Sequence, residues 1–410
     1  MAETDAPTGR DAASPVVRTA IIGLVALAAV ITVGLAWPTG GWQRDGEPLA
    51  VAGWAPYWQP EASLASFEAN ADLFADVSVV AYSATAATTV TRYPAMTDDV
   101  LATFRSAAAS AGVPLVATIF DEAPPNAMAA VLADPVARAA HVDTIVGIAT
   151  TNSFDGVDLD YEKFAFEDGR STWATTRPNW VAFLTELATR LHAADVQLIV
   201  SVPAVYDGGQ TDASGYWVYD YAAMGGIVDR IRVMAYDYST LGSGPGPVAP
   251  IDWVRDLVTA ITALVPADKI DLGIPLYGYD WVVTVTGTCP PDQTPASDVI
   301  STQRLTTMLA ERGLVPVWDT ATGESTLDYT DTLSGTDAAG TAVTCTAQRT
   351  VRFLDDQAVH LRAALAHRSN LHGVALWALG YDNDATWAAI RVARRGTETW
   401  PASTVAPSGP

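Results

Sequence analysis

The chain carries only two cysteines in 410 residues, Cys289 and Cys345. So widely spaced a pair has no zinc-ligand pattern, and no metal site is suggested. A disulfide between the two suits an exported protein. Basic residues are also scarce, with 23 Lys and Arg against 46 Asp and Glu and a formal net charge of -23. Without a general basic surface to neutralise phosphates, the chain is a poor partner for nucleic acid, and its acidic surface repels anionic membranes. A glycine-rich turn of the dinucleotide type is missing after the first strand candidate, so no cofactor is implied.

What is present is apolar and aromatic. The composition is 49% hydrophobic and 17% charged, with 13 Trp and 14 Tyr. That argues against disorder and for a large packed core. Surplus aromatic rings suit sugar binding, because pyranose faces stack on them, although any one ring can equally serve the core.

The first long apolar run is AIIGLVALAAVITVGLAW, Ala20 to Trp37, with Thr32 its one ordinary polar side chain. A helix of about 18 residues spans roughly 27 Å, enough to cross a bilayer core. Arg10 and Arg18 precede it, while Glu3, Asp5 and Asp11 dilute the positive end. Gly34-Leu35-Ala36 resembles a small-x-small cleavage site. Both a signal anchor and a cleaved signal peptide therefore stay open, and either puts the rest of the chain outside the cytoplasm. A core helix is the bland alternative.

Beyond residue 50 a short apolar strand followed by a helical stretch recurs. The strand candidates are Val51 to Tyr57, Val77 to Tyr82, Leu115 to Phe120, Phe154 to Tyr161, Gln197 to Pro203, Arg230 to Tyr236, Ile270 to Tyr277 and Gly373 to Leu379. Several are continuous apolar runs, as parallel strands covered on both faces require. Helices are expected at Asp98 to Ala111, Pro135 to Thr150, Pro178 to Ala194, Pro250 to Val265 and Asp355 to Ser369. Eight such units predict a (β/α)₈ TIM barrel of the α/β class, with function at the C-terminal strand ends; an open doubly wound sheet competes. The expected organisation is a leader over 1–19, the apolar segment over 20–37, a barrel over 46–393 and a flexible tail over 394–410. Thr- and Gly-rich residues 281–349 interrupt the alternation as a small insertion between the last two strands.

The segment FDGVDLDYE, Phe154 to Glu162, carries the chemistry. On a strand, alternation puts Asp158, Asp160 and Glu162 on one face and Val157, Leu159 and Tyr161 on the other. In a barrel that acidic face points to the axis, with Glu162 at the rim. Burying a row of acids is costly unless they share protons, hydrogen bonds or a ligand. Coincidence in an acidic chain is one alternative and calcium is another, but calcium loops do not interleave Val, Leu and Tyr.

Asp155-Gly156-Val-Asp158-Leu-Asp160-Tyr-Glu162 resembles the DGxDxDxE signature of glycoside hydrolase family 18, the chitinase-like barrels. RVMAYDYS is similar to the family's sixth-strand motif and supplies Met234, Tyr236 and Asp237. LGIPLYGYDW resembles its seventh strand, and GVALWALGYDND puts Trp377 where the family carries a Trp. The resemblance covers roughly residues 50 to 393 and looks toward the bacterial branch of spore-cortex-lytic and peptidoglycan N-acetylglucosaminidases. No LysM-type wall-binding repeat accompanies it.

The resemblance implies hydrolysis of β-1,4-linked N-acetylglucosamine polymers, chitin or peptidoglycan glycan. Most retaining glycosidases use a second carboxyl as nucleophile, whereas this family uses the substrate's acetamido group. Glu162 is then the acid, Asp160 steadies the acetamido group, and Asp158 shares a proton with Asp160. Tyr236 donates to the acetamido carbonyl, Asp237 supports the site, Met234 lines it and Trp377 forms its floor. Trp54, Tyr57, Tyr82 and Tyr277 are further substrate-binding candidates, each with core packing as the alternative. The implied partner is the polysaccharide, plus the membrane if the apolar segment stays uncleaved, and a monomer is expected. A catalytically silent lectin-like member and an endoglycosidase of N-glycans remain as other readings.

Overall fold

A computed structural model describes residues 48–203, 215–396 and 400. The leader and the apolar segment 20–37 lie outside the described residues, among which no helix is long and apolar enough to cross a membrane.

Eight parallel strands close on themselves. They are β1 (Ala50–Ala55), β2 (Phe74–Ala86), β3 (Leu115–Asp121), β4 (Gly156–Asp160), β5 (Gln197–Pro203), β6 (Arg230–Met234), β7 (Ile270–Pro275) and β8 (Gly373–Trp377). Neighbours in the chain are neighbours in the sheet, and β1 completes the ring by pairing with β8 on one side and β2 on the other. Every residue of β4 and of β7 is buried. This is the consequence of covering a parallel sheet on both faces.

The surrounding helices start and stop where their caps dictate. Thr97 accepts the Val100 amide before the Asp98–Ala111 helix, which ends at Gly112 with φ 67°. Asp134 caps the Pro135–Thr151 helix, with proline in its first turn. One expectation fails: the helix thought to begin at Pro178 runs from Arg170 to His192, with Pro178 inside it. Tertiary contacts on either side offset the lost hydrogen bond. Arg177 pairs with Asp220 at 2.8 Å and lies over the Trp217 ring, while Trp180 is fully buried.

Between β7 and β8 the chain builds an antiparallel sheet of its own, from Tyr277–Gly287, Asp298–Ser301, Val317–Asp319, Glu324–Thr336 and Ala342–Phe353. The Thr302–Arg312 helix packs on one face around Ile300, Leu305, Leu327, Tyr329, Val351 and Phe353. This substructure is wider than residues 281–349 and contains a helix. Its first strand begins with Tyr277 and Tyr279, which composition assigns to the barrel because they are as apolar as β7. Cys289 and Cys345 are joined by a disulfide, their Cα atoms 4.7 Å apart.

A buried ion pair fastens the inserted sheet to the barrel. Glu324 accepts the amides of Val248 and Ala249 at 2.9 and 2.6 Å, beyond the end of β6. Arg362, on the Asp356–Arg368 helix, donates to the carbonyls of Gly323 and Ala358 at 2.8 and 2.9 Å and meets Glu324 at 3.4 Å. In the segment expected as a tail, Trp400 stacks on His360 and donates to Asp356 at 2.8 Å. Removing one partner of a buried pair strands the other without compensation. Arg362→Met is therefore expected to destabilise the protein by about 3–5 kcal/mol, read by thermal or denaturant unfolding; a loss too small to measure would contradict this role for the pair.

Candidate active site

The barrel interior is lined by whatever the inward positions of β1 to β8 supply, and here they supply charge. Asp158 of β4 is completely buried. Trp54 Nε1 of β1 donates to it at 2.8 Å, Ser201 Oγ of β5 at 2.8 Å, Thr118 Oγ1 of β3 at 3.4 Å and Arg232 Nη1 of β6 at 3.0 Å. β1 and β6 are not neighbours of β4, so these bonds cross the barrel axis. Arg232 also donates to Asp76 and to Ser78 Oγ, the latter at 2.6 Å.

Asp160 is the last residue of β4, and Glu162 sits beyond it, at the N-terminal end of the short Lys163–Phe166 helix. The three acids expected as one strand row are thus divided between strand and rim. Between them Tyr161 turns outward, its hydroxyl 2.7 Å from His141 Nε2. Asp160 and Glu162 are electrostatic neighbours, burial first and then the charge of Glu162 raising the Asp160 carboxyl. Asp158 lies below them, and its charge adds to that of Glu162 in raising Asp160.

A cavity of about 380 Å³ opens over this pair at the C-terminal mouth. Asp160, Glu162, Met234, Tyr236, Asp237, Tyr277 and Trp377 line it, together with Phe120, Phe166, Pro203, Tyr216 and Thr240. Gly273 makes room for one of them, since a Cβ there would lie 3.0 Å from the Tyr236 ring and 2.6 Å from the Val233 carbonyl. Asp237 has φ 61°, a left-handed backbone that Asp tolerates better than most residues. Its carboxylate accepts the hydroxyls of Tyr277 and, at 2.6 Å, Tyr279. Trp377 is partly exposed and meets Trp54 and Trp58 edge-on at 5.7 and 5.9 Å.

Three sequence candidates lie elsewhere. Trp54 is 1% exposed and spends its one donor on Asp158, so it cannot touch a sugar. Tyr82 is buried against Phe154, away from the cavity. Tyr57 stacks on Tyr93 at 3.8 Å and is absent from the cavity wall. The motif's Asp155 accepts the Leu115 amide at 2.8 Å, and a Cβ on Gly156 would press Val116 at 3.1 Å, so both serve strand packing. Sequence reasoning missed Arg232, Ser201, Thr118 and Tyr279. A signal for two of them existed in the period of two, since Arg232 precedes Met234 and Tyr279 follows Tyr277 by two residues.

Burial and like charge set the proton inventory. Desolvation raises the Glu162 carboxyl to about 7, the negative charge of Asp237 adds to this, and the bond from Asp160 opposes it. Asp160 is pushed well above the usual carboxylate range by desolvation first, then by the charges of Glu162 and Asp158. Desolvation also raises Asp237, against the two tyrosine hydroxyls that stabilise its charge. Near neutral pH the pair therefore keeps a proton at a cavity wall, the condition for general-acid catalysis.

A parallel barrel with a raised carboxyl pair beside a partly exposed indole at its C-terminal mouth suits a glycosidase. The model of the family described as "Glycosyl hydrolases family 18" matches residues 101–382. The chain belongs to glycosyl hydrolase family 18. Among curated relatives, the uncharacterized glycosylase YvbX of Bacillus subtilis is 26% identical over 64% of this chain and 67% of its own length. The cortical fragment-lytic enzyme of the same organism is 26% identical over 62% of this chain and 53% of that protein. The chain thus spans between about half and two thirds of these relatives. Of solved structures, a chitinase from Chromobacterium violaceum superposes with a TM-score of 0.67 at 27% identity, over 84% of this chain and 98% of that one. The spore cortex-lytic enzyme SleL of Bacillus megaterium shares the fold with a TM-score of 0.68 at 20% identity, over 85% of this chain and 74% of its own.

The raised Glu162 carboxyl has a cost. Its folded value, about 7, exceeds the ordinary 4.5, so the native state holds the extra proton between those limits and stability falls as pH rises through them. Glu162→Gln removes that loss. Its melting temperature is expected to exceed that of the parent at about pH 8 and to converge with it near about pH 4; a variant that melts lower at both would refute the burial argument.

Proposed function

We propose that the chain hydrolyses β-1,4-linked N-acetylglucosamine polymers, chitin or the glycan of peptidoglycan, with retention of configuration and with the substrate's acetamido group as nucleophile. The observation that carries this is the raised Glu162 carboxyl on the wall of a cavity that it shares with Asp160, Tyr236, Asp237 and Trp377. A carboxylate nucleophile stands about 5–5.5 Å from the acid, and an inverting base about 6.5–9.5 Å away. Family 18 is an exception to both arrangements and draws its nucleophile from the substrate. The third carboxylate of the cavity, Asp237, already accepts two tyrosine hydroxyls. The nucleophile in this reading comes from the sugar.

In this reading one proton on the pair is enough. As Asp160 turns to accept the acetamido N–H, the proton stays on Glu162, which passes it to the bridging oxygen. The carbonyl oxygen of the acetamido group attacks the anomeric carbon, and ionised Asp160 offsets the oxazolinium charge. Water then opens that ring, giving its proton back to Glu162. Tyr236 holds the acetamido carbonyl in line by donating its hydroxyl, and Trp377 supports the sugar face. The chitinase and cortex-lytic relatives support an N-acetylglucosamine polymer as substrate. Extracytoplasmic residence, by anchor or secretion, is supported by the apolar run 20–37 and by the Cys289–Cys345 bond, which suits an oxidising compartment.

Chitin oligomers and purified peptidoglycan offered separately to the full chain, with fragments identified by mass, distinguish the two polymers. On the polymer cleaved, Glu162→Gln is expected to fold and to lose about 10²–10⁴-fold in kcat. For the parent, kcat/KM falls as pH rises past about 7, where Glu162 deprotonates. The first product seen by NMR is the β anomer; an initial α anomer, or near-parental turnover by the variant, would defeat the mechanism.

A further inference from the structure

Tyr161 stands between the two carboxyls of the mouth, and it is held both at its hydroxyl and at its carbonyl. Its side chain points out of the barrel into a box of Phe164, Trp180 and Phe183, where no part of it is exposed. At its tip the hydroxyl lies 2.7 Å from His141 Nε2, and His141 Nδ1 lies 2.9 Å from the carbonyl of Ala87. A carbonyl can only accept, so Nδ1 carries the proton. Burial drives the ring toward its neutral form, which leaves Nε2 as the acceptor of the Tyr161 hydroxyl. Ala87 lies in the turn between β2 and the antiparallel strand Thr89–Arg92, so the Pro135–Thr151 helix, that turn and the acid motif are joined through one imidazole.

At the other end Tyr219 donates its hydroxyl to the Tyr161 carbonyl at 2.6 Å. Burial, and then the charge of Glu162, raise that phenol, so it stays a donor. The carbonyl of Tyr161 and the amide of Glu162 belong to one planar peptide, and whatever fixes the first fixes the direction in which the chain enters Glu162. This matters because the pairing of β4 with both neighbours ends at Asp160, so no strand ladder holds Glu162. Tyr219 closes the turn Gly215–Tyr219, whose Tyr216 lines the cavity.

We propose that His141 and Tyr219 are positioning residues, which clamp Tyr161 by its hydroxyl and its carbonyl and so aim the Glu162 carboxyl at the bridging oxygen of the substrate. The proposal rests on the reading of Glu162 as the acid. Misplacing a reacting group by about 1 Å costs on the order of 10²-fold in rate. Neither clamp residue lines the cavity, so their loss falls on kcat and not on KM.

Tyr161→Phe and Tyr219→Phe each delete one hydroxyl and keep the ring. On the polymer cleaved, each is expected to lower kcat about 10–10²-fold with KM within about twofold of the parent. His141→Leu matches Tyr161→Phe, whereas His141→Gln, whose amide supplies one donor and one acceptor, restores kcat to within about threefold. In a Glu162→Gln background Tyr219→Phe has no further effect, because there is no longer an acid to aim. A merely structural Tyr219 lowers the rate by the same factor in both backgrounds; that result, or folded hydroxyl-deletion variants with parental kcat, overturns the proposal. An arm without substrate tests the clamp itself. ¹⁵N NMR of the histidine side chains in the full chain, with His141→Gln identifying the resonances, is expected to show Nδ1 protonated and Nε2 bare at about pH 7. A proton on Nε2 overturns the proposal, and this arm decides alone should the hydroxyl-deletion variants not fold. The expected tautomer in a protein that cleaves no N-acetylglucosamine polymer would sink the substrate reading and leave the clamp standing.

Discussion

One guanidinium inside the barrel makes the rest of the site possible. Asp76, Asp158 and Asp271 come from three strands and all face the axis, where water is excluded and unpaired carboxylates are prohibitively expensive. Arg232 reaches all three from a fourth strand. Such buried clusters are seldom the most stable solution, because ordinary apolar residues fill the same space at less desolvation cost. Their value lies in defining one arrangement of charge. Here that arrangement holds the lower carboxylate among donors, beneath two carboxyls that burial raises.

From that base upward the environment changes in steps. Asp158 is wholly buried and surrounded by donors, Asp160 is 7% exposed, and Glu162 is partly open to the cavity. Crowding by protein atoms raises Glu162 even though solvent reaches it, as suits a group at a cleft wall. Residues of one chemical type thus take different tasks through depth alone, the same logic by which other glycosidases separate acid from partner.

The inserted sheet belongs to the same construction. Its first strand starts at Tyr277, where β7 has just ended, so the residues that restrain Asp237 are carried out of the barrel by the insertion. Glu324 and Arg362 then lock that sheet to the loop beyond β6 and to the helix preceding β8. Geometry at Asp237 consequently depends on contacts made far from the cavity.

Much of this was legible in the residues alone. Eight apolar runs separated by helical stretches specify a closed parallel barrel, because local alternation and burial on both faces leave few other folds. The acid row from Asp158 to Glu162 was equally plain, since period-two spacing at a strand end survives in sequence, whereas Tyr236, Asp237 and Trp377 were implied by the resemblance to family 18. What the sequence could not express is which side chains meet across the axis. Trp54 looked like a sugar platform and is a hydrogen-bond donor in the core, Tyr82 faces the helices, and Arg232 passed unremarked in an apolar strand. Residue type and spacing determined the fold and the presence of an acid pair; only closure of the barrel decided how the charges are partnered, because electrostatic contacts depend on distance in space and not along the chain.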